Sequence, residues 1–233
     1  MLLSRKTTKV NSIGRSLQRF CDGANLTQAQ AQGVGAAMSN HVKRALIVVD
    51  VQNDFCPGGS LAVAHGDEVI APLNELVKKF LDRGEPVYKT RDWHPAKTKH
   101  FAKYGGTWPI HCVQGTPGAE FHGGLTDDPR ITIISKGTDE GADGYSGFDG
   151  TNLAQLLREK GVAEVWVGGL ATDYCVKHTV LDARLAGFEV KALADAMRAV
   201  NLNPNDGADA IEEMKAAGAE IVANEKPAAG AGH

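Results

Sequence analysis

The chain has 233 residues, 42% hydrophobic and 23% charged, with a net charge of −3: enough for one well-cored domain and ordinary for a globular protein. That balance gives no reason to expect nucleic acid or a membrane surface as a partner, and no apolar run approaches the roughly 20 residues that span a bilayer. The four cysteines, Cys21, Cys56, Cys112 and Cys175, lie far apart with no CxxC pair, a pattern of reduced intracellular thiols rather than a disulfide scaffold.

The leader carries Arg5, Lys6, Lys9, Arg15 and Arg19 with no acid before Asp22, and the stretch that follows is rich in Ala, Gln and Gly. Residues 1–40 therefore read as a disordered or targeting segment. The composition is that of an organellar transit peptide, and Met38 is an alternative start. Cytoplasmic residence is the expectation, with an organelle as the alternative if residues 1–37 are a transit peptide. Residues 41–224 read as the folded domain and 225–233 as an Ala/Gly-rich disordered tail.

Within the domain, the continuous apolar run 45–49 predicts a buried strand. A helix follows over 67–83, with Val69, Leu73, Leu76, Val77 and Phe80 on one face and Gly84 as its stop. Further strands are predicted at 86–90, 131–135, 165–167, 190–193 and 220–222, and further helices at 153–160, 173–186 and 206–217. Strands alternating with helices imply βαβ units. The fold class is α/β, a three-layer, mostly parallel six-stranded sheet with helices on both faces and right-handed connections.

The polar residues fall at the carboxyl ends of these strands, where an open α/β sheet places its ligand crevice. Asp50 ends the first strand, Asp92 follows the second, Lys136 ends the third, and a Gly168-Gly169 turn leads from the fourth to Cys175. A thiol in a first helical turn feels the positive end of the helix dipole, which favours the thiolate, and unpaired N–H groups there suit an oxyanion. A carboxylate at the mouth of an apolar sheet is costly unless paired or used, so Asp50 suits acid–base work. Lys136 is its natural partner. As a structural alternative, Asp50 is an ion-pair or capping residue and Cys175 an inert buried thiol.

Between these groups, Asp92, His94, His100 and His111 offer one oxygen and three nitrogens within 20 residues. That donor set suits Zn²⁺, Fe²⁺, Mn²⁺ or Co²⁺, and the lack of thiolates argues against a structural zinc finger. Phe55, Trp108 and Tyr145 stand beside these motifs and could sandwich a flat ring, or simply belong to the core.

On the strings VDVQNDFCPGGSLAV (49–63), TRDWHPAKTKHF (90–101), WPIHCVQGTPGAEFH (108–122), ISKGTDEGADGYSGFDG (134–150) and GGLATDYCVKHTVLDA (168–183), the sequence resembles the nicotinamidase/pyrazinamidase branch of the isochorismatase-like cysteine hydrolases. The resemblance covers residues 43–223. It implies Asp50 as proton-transfer carboxylate, Lys136 as third triad member and Cys175 as nucleophile. It implies Asp92, His94, His100 and His111 as metal ligands, and the backbone N–H groups of Ala171 or Thr172 and of Cys175 as oxyanion donors. It also implies a cis peptide at Ala171-Thr172. The implied activity is metal-dependent hydrolysis of nicotinamide, and of pyrazinamide, through a thioester in NAD salvage. One divalent metal ion is implied, Zn first, with Fe or Mn as alternatives. The implied partner is the small-molecule substrate alone, without nucleic acid or membrane, and a homo-oligomer is left open. One departure is Tyr174, where several relatives carry His.

Three other readings compete. A different hydrolase of the fold, acting on isochorismate, N-carbamoylsarcosine or ureidoacrylate, would lack the metal run as a hallmark. A plain metallohydrolase would leave Cys175 inert. A binding module without catalysis would not need the intact set of positions.

Overall fold

The computed structural model describes residues 42–223. The expectations for residues 1–40 and for the tail at 225–233 lie outside the described residues.

Six strands form one sheet: β1 (Arg44–Val49), β2 (Val87–Asp92), β3 (Thr132–Lys136), β4 (Glu164–Leu170), β5 (Glu189–Arg198) and β6 (Glu220–Val222). Their order is β3-β2-β1-β4-β5-β6, and every pairing is parallel. The helices are α1 (Ile70–Asp82), α2 (Leu153–Glu159), α3 (Lys177–Leu185) and α4 (Asp206–Ala216). Among the described residues no helix is long and apolar enough to cross a membrane.

The unbroken apolar run of β1 follows from burial on both sheet faces. Leu46 and Val48 pack in one core with Leu73, Leu76, Val77 and Phe80 of α1. Ala45, Ile47 and Val49 point the other way, into a core with Leu153 and Leu157 of α2, Val180 and Ala183 of α3 and Met214 of α4. Each fully buried aliphatic side chain contributes about 1.5–3 kcal/mol relative to exposure, so β1 anchors both layers at once.

Most differences from the sequence-based expectation lie where strands meet the site. β2 continues to Asp92 instead of stopping at 90, because Asp92 still pairs in register with Lys136 of β3. β4 continues through Gly168, Gly169 and Leu170, although glycines usually mark a turn. Here they are required by a close approach. A Cβ on Gly169 would sit 2.0 Å from the Val49 carbonyl oxygen, and its φ is +130°. β5 runs on to Arg198, past a register shift opposite Val167 to Gly169. The helix expected over 173–186 begins as a π turn, Thr172–Val176, before α3.

The order of strands places the crossover between β1 and β4. Chain leaves β1 toward β2 and β3 on one side and returns to β4 on the other, which opens a crevice at the carboxyl ends of β1 and β4.

Candidate active site

The crevice gathers one group from each of four strand ends. Asp50 follows β1 in a left-handed conformation, φ 49°, its N–H donating to the Thr90 carbonyl at 3.2 Å. The Thr90 hydroxyl in turn donates to Asp50 Oδ1 at 2.6 Å. Lys136 reaches in from the end of β3, with its Nζ 2.7 Å from Asp50 Oδ2, 2.7 Å from the Gly144 carbonyl oxygen and 3.4 Å from Cys175 Sγ. It also pairs with Asp92 Oδ1. Carboxylate oxygens of Asp50 and Asp92 and the sulfur of Cys175 all lie within 4.8 Å of one another.

All of these groups are buried, and burial sets their charge states. It pushes the Cys175 thiol well above the usual thiol range, against the pull of Lys136. The helix-dipole expectation of a favoured thiolate meets an opposing influence: desolvation is the largest effect on the enclosed sulfur, and it favours the protonated thiol. Burial also raises Asp50, with Lys136 opposing. For Asp92 burial acts upward too, but the Lys136 ammonium, with the His111 and His94 rings nearby, holds it well below the carboxylate range. For Lys136 the burial cost is outweighed by Asp50 and Asp92, which keep the ammonium charged. The result is a proton-bearing thiol and a cation beside two carboxylates of unequal basicity, the more basic being Asp50.

The three histidines close around one point next to this group, with donor nitrogens within 4.8 Å of one another. Each turns its Nδ1 to an acceptor: His94 to the Gly137 carbonyl at 3.1 Å, His111 to the Pro109 carbonyl at 2.7 Å and His100 to Asp143 Oδ1 at 3.3 Å. That arrangement leaves the Nε2 atoms to converge as unprotonated donors. His94 Nε2 is buried without a hydrogen-bond partner, a costly state unless an ion takes its lone pair. Asp92 Oδ2 stands 3.6 Å from His94 Nε2 and 3.8 Å from His111 Nε2. Burial, with His94 and His111 nearby, pushes His100 down to about 4, so the ring is neutral and free to ligate. The donor set fits a divalent metal ion of the zinc type.

A pocket opens onto both groups. Its wall includes Asp92, His100, His111 and Cys175 together with Phe55, Trp108 and Tyr145, so all three aromatic residues singled out in the sequence face the crevice. Trp108 Nε1 donates to the Tyr145 hydroxyl at 2.9 Å. Tyr174 meets Trp108 edge-on, with ring centroids 4.8 Å apart. Leu61, Val63 and Val200 complete the apolar side.

Ala171, Thr172 and Cys175 stand together at the head of the π turn, where the Ala171 carbonyl accepts from the N–H groups of Tyr174 and Val176. The cis peptide is Leu170–Ala171, one bond before the expected Ala171-Thr172, since β4 extends to Leu170 and the change of direction follows at once.

Sequence reasoning missed several supporting side chains. Gln52 is fully buried and clamps the backbone of Asp92, its amide donating to the Asp92 carbonyl at 2.8 Å and accepting from the Asp92 N–H at 2.8 Å. Asp54 Oδ2 accepts from the N–H of Cys112 at 2.7 Å, fixing the left-handed residue that follows His111. Asp173 holds the N–H groups of Val200 and Asn201 at 2.9 and 2.8 Å. A signal existed for Gln52: a polar residue three positions beyond a buried strand needs a partner inside.

Comparison with known proteins agrees with this architecture. Residues 44–226 match the Isochorismatase domain family. The chain is 42% identical over 199 residues to the nicotinamidase of Escherichia coli, covering 76% of this chain and 93% of the relative. Among solved structures, the pyrazinamidase of Pyrococcus horikoshii in complex with zinc has 49% identity and a TM-score of 0.74, covering 78% of this chain and 99% of that one. PnC1 of L. infantum in complex with nicotinate has 39% identity and a TM-score of 0.72, covering 78% and 93%. A match spanning nearly all of the described fold, with relatives at this identity, means that the chain belongs to the isochorismatase-domain family.

Proposed function

We propose that the protein is a metal-dependent cysteine amidohydrolase that converts nicotinamide to nicotinate and ammonia, and accepts pyrazinamide, through a thioester. The carrying observation is Lys136, set between Asp50 and Cys175 while sharing Asp92 with a histidine trio that opens onto the same pocket. The names of the E. coli and P. horikoshii relatives support the same substrate class.

In this reading Asp92, His94, His100 and His111 hold one divalent ion, Zn²⁺ first, with Fe²⁺ or Mn²⁺ as alternatives. When bound, that ion supplies a Lewis-acid anchor for the ring nitrogen of the substrate. Phe55, Trp108 and Tyr145 clamp the flat ring. Asp50 takes the Cys175 proton as Sγ attacks the carboxamide carbon, which the raised basicity of a buried carboxylate favours. The N–H groups of Ala171 or Thr172 and of Cys175, with the Lys136 ammonium, stabilise the charge that develops on oxygen. Collapse breaks the C–N bond, Asp50 hands its proton to the departing ammonia, and the acyl group stays on sulfur. A water then attacks the thioester, giving Asp50 a proton that returns to the thiol as nicotinate leaves. In this reading the product, a pyridine carboxylate, feeds NAD salvage.

The test is ammonia release from nicotinamide by the purified protein before and after chelation. Turnover that falls on chelation and returns with added Zn²⁺ supports the reading. No ammonia release from nicotinamide by the metal-loaded protein overturns it.

A further inference from the structure

We propose that Asp143 is a positioning residue that sets the affinity of the histidine trio for its metal ion, acting through His100; this rests on the metal site proposed above. The three imidazoles are held from behind in two different ways. His94 and His111 lean on backbone carbonyls, those of Gly137 and Pro109, which no substitution removes. His100 alone leans on a side chain, the Asp143 carboxylate, at 3.3 Å. A carboxylate on the far nitrogen fixes which nitrogen carries the proton and raises the basicity of the one that binds metal.

Charge makes this contact count for more than its length suggests. Asp92 is the one anion among the four ligands, and one of its oxygens already takes the Lys136 ammonium. The negative charge that it offers a dication is thus shared before any ion arrives. Asp143 brings a second carboxylate to the set without entering it, through the ring of His100.

The contact is also built rather than incidental. Asp143 sits on the segment 137–144, which straps the ligand-bearing run 94–100. The Glu140 carbonyl accepts from the Thr98 hydroxyl and the Lys99 N–H, both at 3.0 Å, and the ends of the segment hold His94 and Lys136. Those backbone contacts stay in place when the Asp143 side chain is removed. The Asp143 side chain is itself 60% exposed, so a merely structural role predicts that its loss has little effect.

Competition between the full-length protein and a chromophoric chelator for Zn²⁺ tests the proposal, alongside the visible spectrum of the Co²⁺-loaded protein. Asp143→Ala is expected to raise the dissociation constant about 10–100-fold and shift the Co²⁺ spectrum, with the Tm of the metal-free protein unchanged. Asp143→Asn, which keeps an acceptor oxygen and loses the charge, falls between. An alanine variant that binds Zn²⁺ within about two-fold of the unsubstituted chain overturns the proposal. So does a metal-free Tm that falls in step with affinity, which would mark a structural role. If the unsubstituted chain binds no divalent ion, the metal site itself falls, and this inference with it.

Discussion

Asp92 and Lys136, paired in register at the ends of β2 and β3, join the two halves of the site. One oxygen of Asp92 takes the ammonium, and the other faces the Nε2 atoms of His94 and His111. The same ammonium reaches Asp50 and Cys175. A single carboxylate thus ties the histidine trio to the thiol, and disturbing either partner is felt at both.

Lys136→Met keeps the bulk of the side chain and strands two buried carboxylates without their cation. Removing one partner of a buried ion pair costs about 3–5 kcal/mol. Urea denaturation of the metal-free variant should show a loss of that size, and ammonia release should fall to background.

Cys175→Ala should lower turnover of nicotinamide at least about a thousand-fold, as for the loss of a nucleophile elsewhere, while bound metal stays at the unsubstituted level. The sulfur touches the Lys136 ammonium and takes no part in the histidine trio, so metal content measured beside the rate separates the two functions. An active alanine variant would sink the assignment of the nucleophile.

Gly169→Ala should unfold the sheet at its centre. The new Cβ meets the Val49 carbonyl at 2.0 Å with φ at +130°, and backbone of a neighbouring strand cannot step aside. A loss of about 3 kcal/mol or more, or failure to accumulate in soluble form, is the expected outcome. Gly123→Ala, with nothing within 4 Å of the added carbon, serves as the silent control in the same denaturation series.

Asp173→Ala should act on substrate binding more than on chemistry. It frees the N–H groups of Val200 and Asn201, and Val200 forms part of the pocket wall. Losing the acceptor for such groups costs about 1–3 kcal/mol. Steady-state kinetics should show KM for nicotinamide rising several-fold, with a smaller change in kcat.

The strands and the histidine run were legible because their signals are local. Val48-Val49-Asp50 announces a buried strand with a charge at its mouth, and the spacing of Asp92, His94, His100 and His111 survives folding intact. What the sequence hid depends on contacts between distant segments. The glycines of β4 look like a turn until Val49 is seen pressing on Gly169. The reading of a Cys175 thiolate rested on a helix dipole, whereas the enclosed sulfur answers first to desolvation. Gln52, Asp143 and Asp173 carry no motif of their own, since each is defined by the backbone or ring that it holds.

Spreading the site over four strand ends also ties its appearance to the order in which the chain is made. β1, β2 and β3 emerge first and lie side by side, so a nascent chain already carries Asp50, Lys136 and every histidine of the trio before the ribosome has reached Cys175. β4 must then slot in on the opposite flank of β1. A growing polypeptide thus holds all three histidines while it still lacks the Cys175 sulfur, which joins Asp50 and Lys136 only once β4 is in place, ahead of β5 and β6.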